Sequence, residues 1–186
     1  MHLIARQKEE LRNYYRRERQ ARFISATWRR ILESPEICAA NSIASYFSYG
    51  YEPETHDLNQ LIFDSGRTIY LPRMLPDKNL EWIQWDGVTP TLTKKQKFFE
   101  PTGPALADDE INSIEVIIIP ALHVDRDGNR LGQGGGSYDR ALAKMSGWKI
   151  ALVHSGEMTS EPIPHDIHDQ KVDAAATPEL IVRFHS

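Results

Sequence analysis

The stretch that most constrains how this chain can fold is Arg130-Leu131-Gly132-Gln133-Gly134-Gly135-Gly136-Ser137-Tyr138-Asp139-Arg140, where four glycines fall within five positions. Glycine adds nothing to a core and raises the entropic cost of ordering the backbone. Such a run belongs where the main chain must take positive φ or approach something closely. Upstream, Val116-Ile117-Ile118-Ile119-Pro120 is a short apolar run suited to a buried parallel strand. Downstream, Arg140 to Met145 reads as helix. A strand, a glycine loop and a helix start together make an anion site, because several N–H groups face one point and the helix dipole adds positive charge. Arg130 and Arg140 bracket the loop and strengthen that field. A glycine-rich surface turn is the competing reading. The dinucleotide fingerprint fails, since its third glycine would fall on Ser137, and the Gly-Lys-Ser/Thr ending of a P-loop is absent.

The rest of the chain supplies strands and helices in alternation. Residues from about 3 to 33 read as helix, broken once near Phe23 to Thr27, with Leu11, Tyr14, Tyr15, Ile24, Trp28, Ile31 and Leu32 as an imperfect apolar stripe. Strands are expected at Ile43–Ser48, at Thr68–Arg73 with Pro72 marking the end of the ladder, at Trp82–Trp85 as an edge, at Val116–Leu122 and at Lys149–His154. A short helix is expected from Asp57 to Asp64, stopped at Gly66, and an irregular stretch from Thr91 to Leu106 with Pro90, Pro101 and Pro104. A last strand near Ala174–Thr177 and a helix from Pro178 close the sequence. This order predicts one α/β domain over residues 1–186, Rossmann-like and three-layered, with a mainly parallel, mixed sheet and helices on both faces. Ligands of such sheets gather beyond the carboxyl ends of the strands. Tyr49 to Glu54, Arg73 and the glycine loop all follow strands.

Composition narrows the partners. Residues 1–30 hold nine Lys/Arg against three acids, which leaves −10 for the remainder of a chain whose net charge is −4. The acidic body would repel a nucleic-acid backbone, and no basic strand interleaved with aromatics follows, so no nucleic-acid partner is expected. No apolar run approaches the roughly 20 residues that span a bilayer. The one cysteine, Cys38, has no disulfide partner and suits a small core position in a reducing compartment. The first residues carry Arg6, Lys8, Glu9 and Glu10 with no apolar segment behind them. A cytoplasmic monomer without membrane contact is the expectation.

Several side chains could act with the loop. Lys8 and Arg12 sit four apart, so one helix face can aim both cations at one anion, although a solvated basic face has the same spacing. Asp139 directly follows the loop and Asp169 lies in a polar loop near the end. Magnesium bound with a nucleotide takes one or two carboxylates besides phosphate oxygens and water, so two aspartates suffice. Asp139 also suits a helix cap and Asp169 a turn. His165 and His168 with Asp166 and Asp169 lack a third ligand on a helix and read as a polar loop rather than a zinc or iron site. His123 and His154 read as structural.

Five separated pieces, in order, resemble the 5-formyltetrahydrofolate cyclo-ligases: Lys8-x-x-Leu11-Arg12, Glu54-Thr55, Leu71-Pro72-Arg73, the run Arg130 to Arg140, and His168-Asp169-x-x-Val172-Asp173 with Thr177. The resemblance implies an ATP- and magnesium-dependent ring closure of a folate, 5-formyltetrahydrofolate, to 5,10-methenyltetrahydrofolate, ADP and phosphate. It implies an ATP site formed by Lys8, Arg12, Arg130, Leu131, Gly132, Gln133, Gly134, Gly135, Gly136, Ser137 and Tyr138, with Lys8, Arg12, Arg130 and Arg140 as the catalytic cations. It further implies magnesium at Asp139 and Asp169. Folate contacts are implied for Tyr49, Glu54 and the segment Gln133, Gly134, Gly135, Gly136 and Ser137. The family commonly has an aromatic or basic residue where Gln133 stands and Gly-Tyr-Tyr-Asp where this chain has Gly136-Ser137-Tyr138-Asp139. Ser137 thus removes a ring from a substrate-facing position, worth about 1 kcal/mol or more of stacking. The alternatives are an ATP-dependent ligase or kinase for another small molecule, and a non-catalytic nucleotide- or folate-binding relative.

Overall fold

In the computed structural model, which describes residues 2–88 and 100–184, the helices are α1 (His2–Arg22), α2 (Pro35–Ala39), α3 (His56–Asp64) and α4 (Ser137–Leu142). The strands are β1 (Ser42–Ala44), β2 (Thr68–Met74), β3 (Leu80–Gln84), β4 (Val116–Pro120), β5 (His123–Asp125), β6 (Arg130–Leu131), β7 (Trp148–Leu152), β8 (Met158–Thr159), β9 (Ala174–Ala176) and β10 (Ile181–Arg183). Seven strands form one sheet in the order β10-β9-β7-β4-β1-β2-β3. The inner neighbours pair in parallel, and β3 and β10 close the edges antiparallel. Counted alone in chain order, the five parallel strands run 2-1-3-4-5, so the winding reverses between β1 and β4. That reversal opens a crevice past the carboxyl ends of those two strands.

The pleat of β4 divides the core. Ile118 points to one face with Ile43 and Ile150, where Ile31, Ile37 of α2 and Leu58 and Ile62 of α3 cover them. Ile117 and Ile119 point to the other face with Ala151, against Ala141 and Leu142 of α4 and Met145. Helices therefore cover both faces, giving the expected three layers. A second sheet, β6-β5-β8, was not foreseen; Leu131 within it and Leu122 just before β5 pack with Ile163 against Leu11 and Tyr15 of α1.

Several local expectations change. The expected long helix stops at Arg22 and resumes as a 3-10 turn at Arg29–Glu33, on either side of the anticipated break. The first strand leaves the sheet after Ala44, because α3 and its entry capture the following carbonyl: Thr55 Oγ1 and Asn59 Nδ2 both donate to Tyr46 O, at 2.5 and 2.9 Å. Pro72 does not end β2 but pairs with Trp82 inside the ladder. The Trp85 N–H bond to Ile69 O sets the alternation so that position 72 exchanges no bonds with β3. The other edge of β2 pairs with β1 only through Tyr70, so the missing N–H of Pro72 costs the sheet nothing. Pro178 begins no helix: Thr177 Oγ1 accepts the N–H groups of Glu179 and Leu180, and the chain turns back as β10. Cys38 is exposed, since α2 buries Ile37 instead. The irregular stretch expected from Thr91, with Pro90, lies up to residue 99 outside the described residues. No described helix is long and apolar enough to cross a membrane.

Candidate active site

The crevice predicted by the winding holds a cavity of about 310 Å³. Lys8, Arg12, Arg130, the whole run from Leu131 to Asp139, and Asp169 line one side. Tyr46, Phe47, Tyr49 and Glu52, which follow β1, and Pro72, Met74 and Leu80 of the β2–β3 hairpin line the other. Residues 161 positions apart in the chain thus share one wall system, and Lys8 meets Asp169 in an ion pair.

The glycine loop is held by its carbonyls. Arg12 Nε donates to Gly132 O at 3.1 Å, and Arg16 Nη2 donates to Gln133 O at 2.8 Å. Lys8, Arg12, Arg16 and Arg19 succeed one another at helical spacing, so α1 presents a row of cations to the site. Among the described residues, no hydrogen bond within the protein uses the amide N–H of Gly132, Gln133, Gly134, Gly135 or Gly136. With carbonyls tied back and amides unspent, the loop has donors left for an anion, an arrangement that glycine at positive φ permits. Gly134 (φ +98) and Gly136 (φ +67) take that conformation. A Cβ on Gly134 would stand 3.2 Å from the Arg12 guanidinium, so the space is needed as well as the torsion.

Two carboxylates sit beside this loop. Asp139 Oδ1 accepts from Arg130 Nη2 at 2.6 Å and from Gln170 N–H at 3.1 Å. Asp169 Oδ2 accepts from Lys8 and from Asp166 N–H. Each aspartate therefore commits one oxygen to the protein, and its second makes no hydrogen bond among the described residues. That donor set, two hard oxygens flanking a phosphate-sized cradle, fits magnesium carried with a nucleotide. The described residues hold no group of three or more His, Cys, Asp or Glu that could bind a metal by itself, and the His165–His168 loop is no exception. Arg130 has a side chain only 3% exposed, and its Nε is buried without a hydrogen-bond partner. Burial pulls its pKa down while Asp139, Tyr138 and Asp169 push it back.

The facing wall contains a group that the sequence reading passed over. Glu52 is 8% exposed; it accepts from Tyr49 N–H at 3.2 Å. Burial raises its pKa to about 7, against the lowering effects of that amide and of Arg19. Arg19, also in the wall, is locked by a bidentate pair with Glu157 at 2.6 and 2.7 Å and by a bond to Ala121 O at 2.6 Å. Burial, with Glu52 nearby, also keeps the Tyr138 phenol well above its ordinary value. Ser137, on the loop wall, is also buried.

Two expected residues lie apart from the cavity wall. Glu54 accepts from His56 N–H at 2.5 Å and lines a neighbouring pocket of about 220 Å³, separated from the first by Tyr49 and Glu52. The Arg140 guanidinium turns away to Asn79 and Lys78. The Glu-Pro-Glu run could have flagged Glu52 as readily as Glu54, but nothing in the sequence tells which carboxylate turns inward. His123 stacks on Tyr15 at 3.9 Å, and burial lowers its pKa to about 4, as suits a structural histidine.

Residues 4–178 match the model of the 5-formyltetrahydrofolate cyclo-ligase family. A Schizosaccharomyces pombe protein named probable 5-formyltetrahydrofolate cyclo-ligase is 29% identical over 171 residues, covering 83% of each chain. A Mycolicibacterium smegmatis protein named 5-formyltetrahydrofolate cyclo-ligase is 33% identical over 148 residues, 76% of this chain and 75% of that one. The solved structure of Aquifex aeolicus 5,10-methenyltetrahydrofolate synthetase matches with a TM-score of 0.78 at 21% identity, over 96% of this chain and 93% of that one. That likeness is one of fold.

Proposed function

The chain belongs to the 5-formyltetrahydrofolate cyclo-ligase family, and from that premise we propose that it closes 5-formyltetrahydrofolate to 5,10-methenyltetrahydrofolate at the expense of ATP, with magnesium. The observation that carries this reading is the single cavity whose one wall suits a triphosphate and whose other suits a flat, donor-rich ring. The formyl oxygen of the substrate attacks the γ-phosphorus of ATP, an O–P bond forms, and the bond to ADP breaks. N10 then attacks the activated formyl carbon and loses its proton, and the C–O bond breaks as phosphate departs.

The residues act mainly by position and charge. A formyl amide oxygen is a poor nucleophile, so holding it in line with the phosphorus supplies most of the help. Lys8, Arg12, Arg130 and the loop amides bind the phosphates and spread the charge that develops on the transferring group. Asp139 and Asp169 would hold magnesium, which when bound neutralises phosphate charge. Tyr46, Phe47 and Tyr49 offer aromatic surface to the pterin, and Glu52 accepts from its amino and ring N–H groups. Glu54 stands behind that wall and supports it through the turn into α3.

The test is to mix the purified protein with 5-formyltetrahydrofolate, ATP and magnesium and follow the near-ultraviolet absorbance of the methenyl product. Product formation matched one-to-one by ADP is expected. ADP release only with a different small molecule would move the chain to another ATP-dependent reaction, and binding without turnover would make it a non-catalytic relative.

A further inference from the structure

Arg140 follows the glycine loop by four residues, and its charge alone would place it on a phosphate. The structure gives it other work. Its Nε donates to Asn79 Oδ1 at 2.6 Å, its Nη2 to Lys78 O at 2.7 Å, and its Nη1 to Gly135 O at 3.4 Å. Lys78 and Asn79 form the turn that joins β2 to β3, and the ends of that hairpin, Met74 and Leu80, are part of the cavity wall facing the loop. One guanidinium therefore ties the hairpin to the glycine loop, and its planar fork suits three such acceptors at once.

Two further features agree. Lys78 holds φ +66, a left-handed conformation disfavoured for a side chain of its kind, and Arg140 bonds its carbonyl. The Arg140 guanidinium lies close against Gly136, where a Cβ would come within 2.9 Å of Nη1. We propose that Arg140 is a positioning residue: it holds the β2–β3 hairpin against the glycine loop and so sets the separation of the two walls between which phosphoryl donor and acceptor meet. The role in turnover rests on the cyclo-ligase reading; the tie itself does not. A lost tie would let the walls part, and in-line transfer is sensitive to shifts of about 1 Å.

The experiment compares the full-length protein with Arg140→Ala, Asn79→Ala and the double variant, by hydrogen–deuterium exchange of segment 74–81 without substrate and by steady-state kinetics. Arg140 is exposed, and the variants are expected to fold. In Arg140→Ala, exchange at 75–80 should rise at least threefold while that of β4 and β7 stays unchanged. Its kcat should fall about fivefold to tenfold with the KM for ATP within twofold. Asn79→Ala should shift both readouts the same way by less, and the double variant should be no worse than Arg140→Ala, because both remove one link. Unchanged hairpin exchange overturns the proposal. So does a KM for ATP raised tenfold or more with Asn79→Ala silent, which would return Arg140 to the phosphates. If the wild type makes no methenyl product, the cyclo-ligase reading fails, and exchange alone still decides whether Arg140 holds the hairpin.

Discussion

Along the glycine-loop wall of the cavity the groups on offer are main-chain amides, whereas the facing wall, Tyr46 to Glu52 with Pro72 to Leu80, presents side chains. The loop wall offers amides that no hydrogen bond among the described residues uses, with the carbonyls of Gly132 and Gln133 tied back by Arg12 and Arg16. The facing wall offers aromatic rings and one buried carboxylate, held by the bonds from Thr55 and Asn59 to Tyr46 O. An amide cradle grips any phosphate of the right shape and so supplies binding and charge stabilisation without choosing the acceptor. A side-chain wall can choose, because a buried acceptor left unpaired by the wrong ligand is penalised. Substitutions should therefore separate: the loop wall should govern ATP and turnover, and the facing wall should govern folate.

The largest effect is expected where the loop wall meets its charges. Lys8→Ala or Asp139→Asn removes one member of an ion pair, Lys8 with Asp169 or Asp139 with Arg130, and leaves the other uncompensated. Each should lower turnover at least tenfold with circular dichroism unchanged and the KM for folate within about twofold. Near-normal rates in both variants would break the comparison at its stronger end. Gly134→Ala should come next. It asks alanine to adopt φ +98 with its Cβ 3.2 Å from the Arg12 guanidinium. Strain of this kind costs roughly 1–3 kcal/mol, so the KM for ATP should rise about tenfold while that for folate barely moves. An equal rise in both constants would show that the loop serves both substrates alike.

This contrast also explains what the sequence made legible. Parallel strands and helices on both faces were readable because Val116 to Pro120 and Lys149 to Leu152 are apolar runs with clear boundaries. The loop wall was readable because glycine clustering is itself a backbone signal, and Asp139 is adjacent to it. The facing wall was not, since Glu52 and Glu54 look alike in one dimension. Only the Glu54 bond to His56 N–H and the inward turn of Glu52 distinguish them. Arg140 misled for the same reason: its charge is visible in the sequence, but its acceptors at Lys78 and Asn79 lie about sixty residues away. The strand at Ile181–Arg183 was hidden because Pro178 suits a helix start and a turn equally, and Thr177 decides between them.

The facing wall can be probed through its proton. Glu52, with its pKa raised to about 7 by burial, is half-ionised near neutrality in the free protein. Only the carboxylate accepts at both oxygens, so folate binding should favour the ionised form and weaken as pH falls from 8 to 6. Stability should move the other way. A carboxyl group raised above its unfolded value of 4.5 binds more protons when folded, so its share of stability is lost as pH rises from about 4.5 to about 7. Glu52→Gln should raise the KM for folate about fivefold at pH 8, flatten its pH dependence and make the melting temperature less sensitive to pH between about 4.5 and about 7. An unchanged KM for folate with a flattened stability profile would keep Glu52 as a buried acid and remove it from recognition.

The smallest effect is expected at Ser137, a loop residue expected to face the folate. Ser137 is buried in the cavity wall between Gly136 and Tyr138, where the cyclo-ligase resemblance implies the second residue of a Gly-Tyr-Tyr-Asp pattern. Ser137→Tyr would add a ring to this lining of the cavity. Aromatic contacts of that kind add about 0.5–1.5 kcal/mol, so Ser137→Tyr should lower the KM for folate roughly threefold while leaving that for ATP within error. The two constants should separate because the loop's amides, proposed to bind the phosphates, keep their backbone when a side chain changes. A KM for ATP that shifted while that for folate stayed put would mean that the ring lies along the nucleotide, and the boundary between the two walls would have to be redrawn through position 137.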